Sequence, residues 1–432
     1  MGRQGRSSAP LFRTLEVTDL AGRGDGVARL PTGEVVFLPG TAPGDRVDAR
    51  IEGRRGGVLR GEVLRLQAPG ASRVTPPCPV ADRCGGCSWL HVALDRQHAV
   101  KAELAARALA PDAAPSRAGG APALGWRRRV RLHLRTIAGK PALGLLEAGS
   151  DRLVPLHACP AMVPALSERL PVWRQAFGPW LERGELLAVQ GSEGIVLAVH
   201  GRRRSALPDA AALDALSEGL HGLVLELDGD RFVRGAADAT LEETRDDGAP
   251  VRCSAGGFAQ ASADGNRAIR AAVGRALADA VQARGSRFGR ALEAFAGSGN
   301  LTTLALEAAE HVRTIEFDEA AVHRARASLA AFGSDRLRIE TGDVGEAPTL
   351  PGGADALWLL DPGRPGAAEL MRRAAATRPA AIVYVSCAPD TLRRDLGALR
   401  AAGYAVRHAV WLDTMPNTPH FELVVRLELA GT

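Results

Sequence analysis

The chain holds 432 residues, 46% of them hydrophobic and 24% charged, with six cysteines and a net charge of +5. That length suits several domains that each bury a core, and the composition excludes bulk disorder and collagen-like or fibrous classes. The charge is uneven: residues 1–150 carry 23 Lys and Arg against 13 Asp and Glu, the remainder 31 against 36, so the first third reads as a footprint for a polyanion, nucleic acid being the usual one.

Residues 10–67 read as a small β-barrel. LEVTDLA, VARL, EVVFLPG, DRVDARIEG and GVLRGEVLRL are short alternating stretches separated by glycine-rich turns at 22–26, 39–44 and 53–57. Five strands with basic residues in the turns suit an oligonucleotide-binding type of barrel. GRGDGVARL followed by EVVFLPGTAPGDRVDARI resembles the TRAM domain of RNA-modifying enzymes.

Residues 68–250 read as a central α+β domain. A proline-containing connector over 68–77 leads to a cysteine cluster, a helical stretch spans 91–109, and a loose Ala/Pro/Gly segment runs to Gly120; packing of 91–117 on the last domain is the alternative. RVRLHLRT, ALGLLE, LLAVQ, GIVLAVH and GLVLELDG then read as strands, and PALSERLPVWRQAFGPWLER, residues 164–183, as a helix. From 251 to 432 the pattern changes. After helix-like ADGNRAIRAAVGRALADAVQA, apolar strands alternate with amphipathic helices, which predicts an α/β domain with a doubly wound, Rossmann-like sheet. No stretch reaches the ~18 apolar residues of a bilayer span, and MGRQGRSSAPLFR lacks an apolar segment after its basic residues. A cytoplasmic, monomeric protein without a membrane partner is expected.

Three cysteines fall in Cys78-x5-Cys84-Gly-Gly-Cys87, and Cys159 lies in HACP about 70 residues on. Four thiolates can hold zinc or a 4Fe–4S cluster, and the spacing leaves both open. Disulfides are not expected without an export signal.

In ALEAFAGSGNLTTLAL, residues 291–306, an apolar strand meets a turn holding Phe295, Gly297 and Gly299, where the missing side chains let backbone approach a ligand. The next strand ends at Glu316, placed to accept hydrogen bonds from ribose hydroxyls, and the third leads to Asp343. Two glycines at G-x-G with these two acids resemble the S-adenosylmethionine pocket of Rossmann-like methyltransferases; a dehydrogenase is the alternative.

Three later segments each place polar groups directly after an apolar strand: ALWLLDPGRPG with Asp361 and Arg364, AIVYVSCAPDTLRRDL with Cys387, and MPNTPHFELVVRLEL with His420 and Glu422. A lone Ser-Cys reads equally as core filler. Together they match one chemistry. Carbon 5 of uracil is not nucleophilic until a thiolate adds to carbon 6; after methyl transfer a base must remove the proton on carbon 5 so that the cysteine leaves. One Cys, one carboxylate and partners for the uracil edge, Gln260 of GGFAQAS among them, are the groups required.

On CxxxxxCGGC, HACP, GGFAQAS, FAGSGNLT, LLDPGRPG, VYVSCAPDTLRRD and HFE, essentially the whole chain resembles the RNA 5-methyluridine methyltransferases, in particular the TRAM- and iron–sulfur-bearing branch acting on ribosomal RNA. The resemblance implies Cys387 as nucleophile and Glu422 as base. It also implies Asp361, Arg364 and Gln260 at the target base, Gln260, Glu316 and Asp361 around S-adenosylmethionine and the reacting centre, and a 4Fe–4S cluster, in preference to zinc, on Cys78, Cys84, Cys87 and Cys159. It implies 23S ribosomal RNA as substrate, with the T-loop of transfer RNA as runner-up. Ser262, Glu293, Ala296 and Ala388 depart from the family pattern. Competing readings are a cytosine-5 enzyme, for which Cys253 is the spare thiol, and a non-catalytic RNA-binding homologue.

Overall fold

The computed structural model describes residues 11–22, 24–204, 209–241 and 250–430. The basic start, residues 1–10, and the end of the central region, 242–249, lie outside them. The chain forms two compact units: one gathers the chain up to Lys101 with Leu146–Val154 and Pro416–Pro419, the other Ala102–Leu145, Pro155–Met415 and the residues from His420 on.

In the first unit Leu11–Leu20, Gly26–Arg29, Val35–Leu38, Arg46–Arg55 and Val58–Ala68 close into a five-stranded barrel, the last two exchanged in spatial order relative to the chain. Alternation explains the closure, since Val17, Ala28, Val36, Leu38, Val47 and Ala49 point inward and are fully buried while their neighbours face water. Buried Asp45 accepts Arg73 at 2.6 Å and the backbone N–H of Ala42 and Gly70, fixing the connector that follows. The CGGC turn is held from the same unit: Gly85 N–H donates to the Leu146 carbonyl at 3.0 Å, and a Cβ on Gly85 would stand 3.0 Å from that oxygen.

The second unit opens with a mainly antiparallel sheet in the order Asp230–Gly235, Gly222–Leu227, Gly194–Arg203, Leu181–Gly191, Arg129–Ile137 and Lys140–Leu146. The helix expected over 164–183 forms as two pieces, Pro164–Ser167 and Arg169–Phe177: Gly178 N–H still bonds to the Arg174 carbonyl, but Pro179 has no N–H to carry the helix on, and Leu181 already begins a strand.

From residue 263 the elements are numbered afresh. Helix α1 (Ala263–Arg284) precedes β1 (Phe288–Ala294), α2 (Thr302–Ala308), β2 (Ala309–Glu316), α3 (Glu319–Leu329), β3 (Leu337–Thr341), β4 (Ala356–Leu360), α4 (Ala368–Thr377), β5 (Ala381–Ser386), α5 (Pro389–Ala401), β6 (Tyr404–Asp413) and β7 (Glu422–Leu429). The sheet order is β3-β2-β1-β4-β5-β7-β6, with β7 antiparallel to both neighbours. Both faces are covered. Leu357 and Leu359 pack under α1 with Ile269, Val273 and Leu277, whereas Trp358 and Leu360 pack on the other side with Leu370, Leu392 and Leu396. That double burial makes the strands near-continuous apolar runs.

An eighth strand, Ser116–Gly120, runs parallel to β6 at the sheet edge. It lies in the segment expected to be loose, and SRAGG has little strand propensity of its own; unpaired backbone of β6 recruits it. Among the described residues no helix is long and apolar enough to cross a membrane.

Candidate active site

Sheet topology brings the three strand-end segments together. Asp361 follows β4 and Cys387 follows β5. Because β7 enters antiparallel beside β5 with Leu423 opposite Ser386, Glu422 at its start lies next to Cys387. Cys387 feels the charges of Glu422, Asp361 and Arg364, and Glu422 feels that of Asp361. Burial pushes the Cys387 thiol up to about 11; Glu422 and Asp361 add to that rise and the Arg364 guanidinium opposes it. Burial likewise holds Glu422, 4% exposed, well above the usual carboxylate range, with Asp361 contributing. Asp361 keeps part of its surface open, yet the protein packed around it pushes its carboxyl up to about 7. Two carboxyls this close in a poorly solvated site do not both ionise readily. The arrangement therefore sets a thiol beside Asp361, able to take or hold a proton near neutral pH, and beside Glu422, whose proton is held more tightly than an ordinary carboxyl holds it.

The Asp361–Gly366 loop is fixed from α5, the helix that starts immediately after Cys387. Thr391 Oγ1 donates to the Arg364 carbonyl at 3.1 Å, Arg394 to the Pro365 carbonyl at 2.9 Å, and Asp395 accepts the Ala367 N–H at 2.8 Å. Gly366, at φ +77°, passes so close that a Cβ would sit 2.2 Å from Thr391 Cγ2. The exposed Arg364 side chain stands 3.3 Å from His420 Nε2.

On the cofactor side, β1 ends in a turn with three positive φ values, +62° at Phe295, +56° at Gly297 and +86° at Gly299. A left-handed Phe costs about 1 kcal/mol or more, and such residues cluster at functional turns. Gly297 donates its N–H to Glu316 Oε2 at 2.9 Å, while Asp318 N–H takes Oε1 at the same distance, so the carboxylate is oriented across the turn. A Cβ on Gly297 would meet no atom within 4 Å, so this turn faces open space. Asp343 is exposed beyond β3 and its carboxylate accepts Gly345 N–H at 2.7 Å.

Gln260 lies on the loop between Ser254 and α1. Its carbonyl accepts Arg128 Nε at 3.2 Å, and Cys253, 1% exposed, donates its thiol to the Phe258 carbonyl at 3.2 Å. Ser262 caps α1 by accepting Gly265 N–H, and Asn266 exchanges paired amide hydrogen bonds of 3.0 and 2.8 Å with Asn300 after the glycine turn. The cysteines Cys78, Cys84, Cys87 and Cys159 form no disulfide and are partly exposed. Gly86 N–H donates to Cys84 Sγ at 3.4 Å, and among the described residues no three His, Cys, Asp or Glu side chains converge as a metal group.

Sequence reasoning missed Asp395, buried to 1% and bonded to the loop, to Tyr384 and to Arg394. Its signal was present: Leu392, Leu396 and Leu399 mark the apolar stripe of α5, and Asp395 is an acid on that stripe.

The sheet order, the glycine turn and the acid-ended second strand define a Rossmann-like methyltransferase domain, here joined to a β-barrel. Residues 13–64 match the TRAM domain model. The chain is 31% identical over 425 residues to the 23S rRNA (uracil(1939)-C(5))-methyltransferase of Cronobacter sakazakii, covering 96% of each. It is 32% identical over 439 residues to that of Edwardsiella ictaluri, covering 99% of this chain and 98% of the relative. Among solved structures, the Pyrococcus abyssi tRNA (uracil-54, C5)-methyltransferase in complex with S-adenosyl-L-homocysteine superposes with a TM-score of 0.73 at 21% identity, covering 96% of this chain and 99% of that one. The chain belongs to the RNA uracil-C5 methyltransferase family.

Proposed function

We propose that the protein methylates carbon 5 of a specific uridine in 23S ribosomal RNA, using S-adenosylmethionine. The observation that carries this reading is the meeting of Cys387, Glu422, Asp361 and Arg364 at the ends of β4, β5 and β7. Phe295, Gly297, Gly299, Glu316 and Asp343 line the side where the cofactor would bind, and the open space in front of Gly297 fits a ligand there. Bound there, S-adenosylmethionine supplies an electrophilic methyl group.

The residues then divide the work. Cys387 adds as thiolate to carbon 6, giving an enolate whose carbon 5 takes the methyl group. Arg364 and Asp361, on a loop locked to α5, contact the uracil edge, and Gln260 orients the base from its own loop. Glu422 receives the proton from carbon 5, and the electron pair of that C–H bond expels the Cys387 thiolate. An acceptor buried beside the thiol suits this step, because exclusion of water strengthens the pairing of base and proton.

The thiols of Cys78, Cys84, Cys87 and Cys159 are assigned to a 4Fe–4S cluster. The support is an all-sulfur donor set in Cys-x5-Cys-Gly-Gly-Cys spacing, and a backbone N–H already aimed at Cys84 Sγ, the kind of donor that stabilises a thiolate. It would act as a structural clamp, with no redox step.

Mapping 5-methyluridine by mass spectrometry in ribosomal and transfer RNA from a deletion strain, with and without the restored gene, tests the reading. A single 23S site that disappears and returns supports it. Loss confined to transfer RNA replaces the substrate, and unchanged RNA removes the enzymatic reading.

A further inference from the structure

We propose that the central sheet carries a phosphate-binding groove, built on Arg135, Arg183 and Arg202, that grips the backbone of the RNA away from the target uridine. The inference rests on RNA being the substrate.

Strands Arg129–Ile137, Leu181–Gly191 and Gly194–Arg203 are antiparallel neighbours, and their register sets Arg183 opposite Arg135 on one side and opposite Arg202 on the other. Three guanidinium groups thus stand in one cross-strand row. Like charges directly opposite each other destabilise a sheet unless an anion lies among them.

The adjacent row shows the contrast. There His133, Glu185, His200 and, on the next strand, Glu226 stand opposite one another, so that acids are interleaved with histidines. Glu185 lies 3.4 Å from Arg131 and 3.5 Å from His133, and His200 lies 2.8 Å from Glu226. Acids stand among the basic side chains there, and none stands between Arg135, Arg183 and Arg202 one row away. Among the described residues neither Arg135 nor Arg183 joins an ion pair, and Arg135 Nε is buried without a hydrogen-bond partner. Arg202 meets Glu182 at 3.8 Å with both side chains more than half exposed, a pairing worth little in water.

These side chains line a cleft of about 570 Å³. Of the two acids on its wall, Glu185 is shared by Arg131 and His133, and Asp228 accepts Arg203 at 3.0 Å. Arginine is suited to the role, since its fork binds two phosphate oxygens at once.

The test compares wild type with Arg135→Gln, Arg183→Gln and the double variant for affinity to a 23S RNA fragment at several salt concentrations. Removing one phosphate-binding guanidinium should lower the slope of log affinity against log salt by about 0.7–0.9, so the double variant should drop by between one and two units of slope. Its RNA affinity at low salt should fall roughly tenfold to a hundredfold. S-adenosylhomocysteine affinity should hold, showing an intact fold, and KM for RNA should rise while kcat at saturating RNA stays level.

Unchanged RNA affinity and slope in the folded double variant would overturn the groove. So would loss of stabilisation by inorganic phosphate with RNA affinity retained, which would make it a site for free phosphate. Wild type failing to bind any RNA would instead remove the functional reading, and the groove with it.

Discussion

The Tyr384 hydroxyl donates a 2.7 Å hydrogen bond to Asp395 Oδ2, joining β5 to α5 on either side of Cys387. The same oxygen accepts the Ala367 N–H, so one buried carboxylate ties the strand before the thiol, the helix after it and the loop carrying Asp361 and Arg364. Asp395→Ala should cost about 2–4 kcal/mol, because it strands a buried hydroxyl and a backbone N–H. Denaturant unfolding checks the stability. Steady-state kinetics should show kcat falling more than cofactor affinity, and an undisturbed kcat would mean that the loop is held by other contacts.

Cys387→Ala should abolish methylation and leave S-adenosylhomocysteine binding largely intact, since thiol and glycine turn lie at different strand ends. With the thiol up to about 11, only a small fraction is thiolate at neutral pH. Covalent attack should therefore speed up about tenfold per pH unit between 7 and 9. Arg364→Gln removes the cation that favours the thiolate and should move this rise to higher pH. Rapid-quench measurement of adduct formation reads both effects, and normal turnover in Cys387→Ala would exclude the covalent route.

Glu422→Gln should allow attack and methyl transfer but stall release, giving a protein–RNA adduct that survives a denaturing gel. A variant that neither traps RNA nor slows assigns the base elsewhere. The same substitution has a stability signature. Glu422 is held well above 4.5 in the fold, so it keeps a proton that the unfolded chain releases. The stability it contributes is complete below pH 4.5 and is lost as pH rises through its folded value. Glu422→Gln should raise Tm at pH 8, by about 2–4 °C per kcal/mol gained, and change it little at pH 4. Calorimetry at the two pH values shows the difference.

Cys84→Ser should lower iron content and weaken RNA binding more than cofactor binding. Four thiolates would close a loop of about 70 residues around the basic WRRRVRLHLR segment, and loss of that clamp releases the orientation on which several arginines depend. Iron analysis, RNA affinity at two salt concentrations and cofactor affinity make the comparison. An iron-free, folded variant with unchanged RNA affinity would sink the clamp, and lost turnover with both affinities intact would point to a direct catalytic role.

The sequence by itself determined what local periodicity controls: the barrel strands of 10–67, the alternating strands and helices after 263, the glycine turn at Gly297 and Gly299, and the positions of Asp361 and Cys387 after their strands, whereas Glu422, expected after a strand, opens one. Apolar runs, glycines at positive φ and N-cap residues act within a few positions of themselves, so they are visible in a linear text. Tertiary structure decided what depends on register between distant segments. The antiparallel insertion of β7 between β5 and β6 sets Glu422 against Cys387, although 35 positions separate them in the chain. Recruitment of Ser116–Gly120 to the edge of β6, the change from helix to strand after Phe177, the burial of Asp395 and the arginine row of the central sheet are of the same kind. In each, backbone pairing or burial imposed by a neighbour outweighs the preference of the residues themselves, and that neighbour is fixed only when the chain has folded.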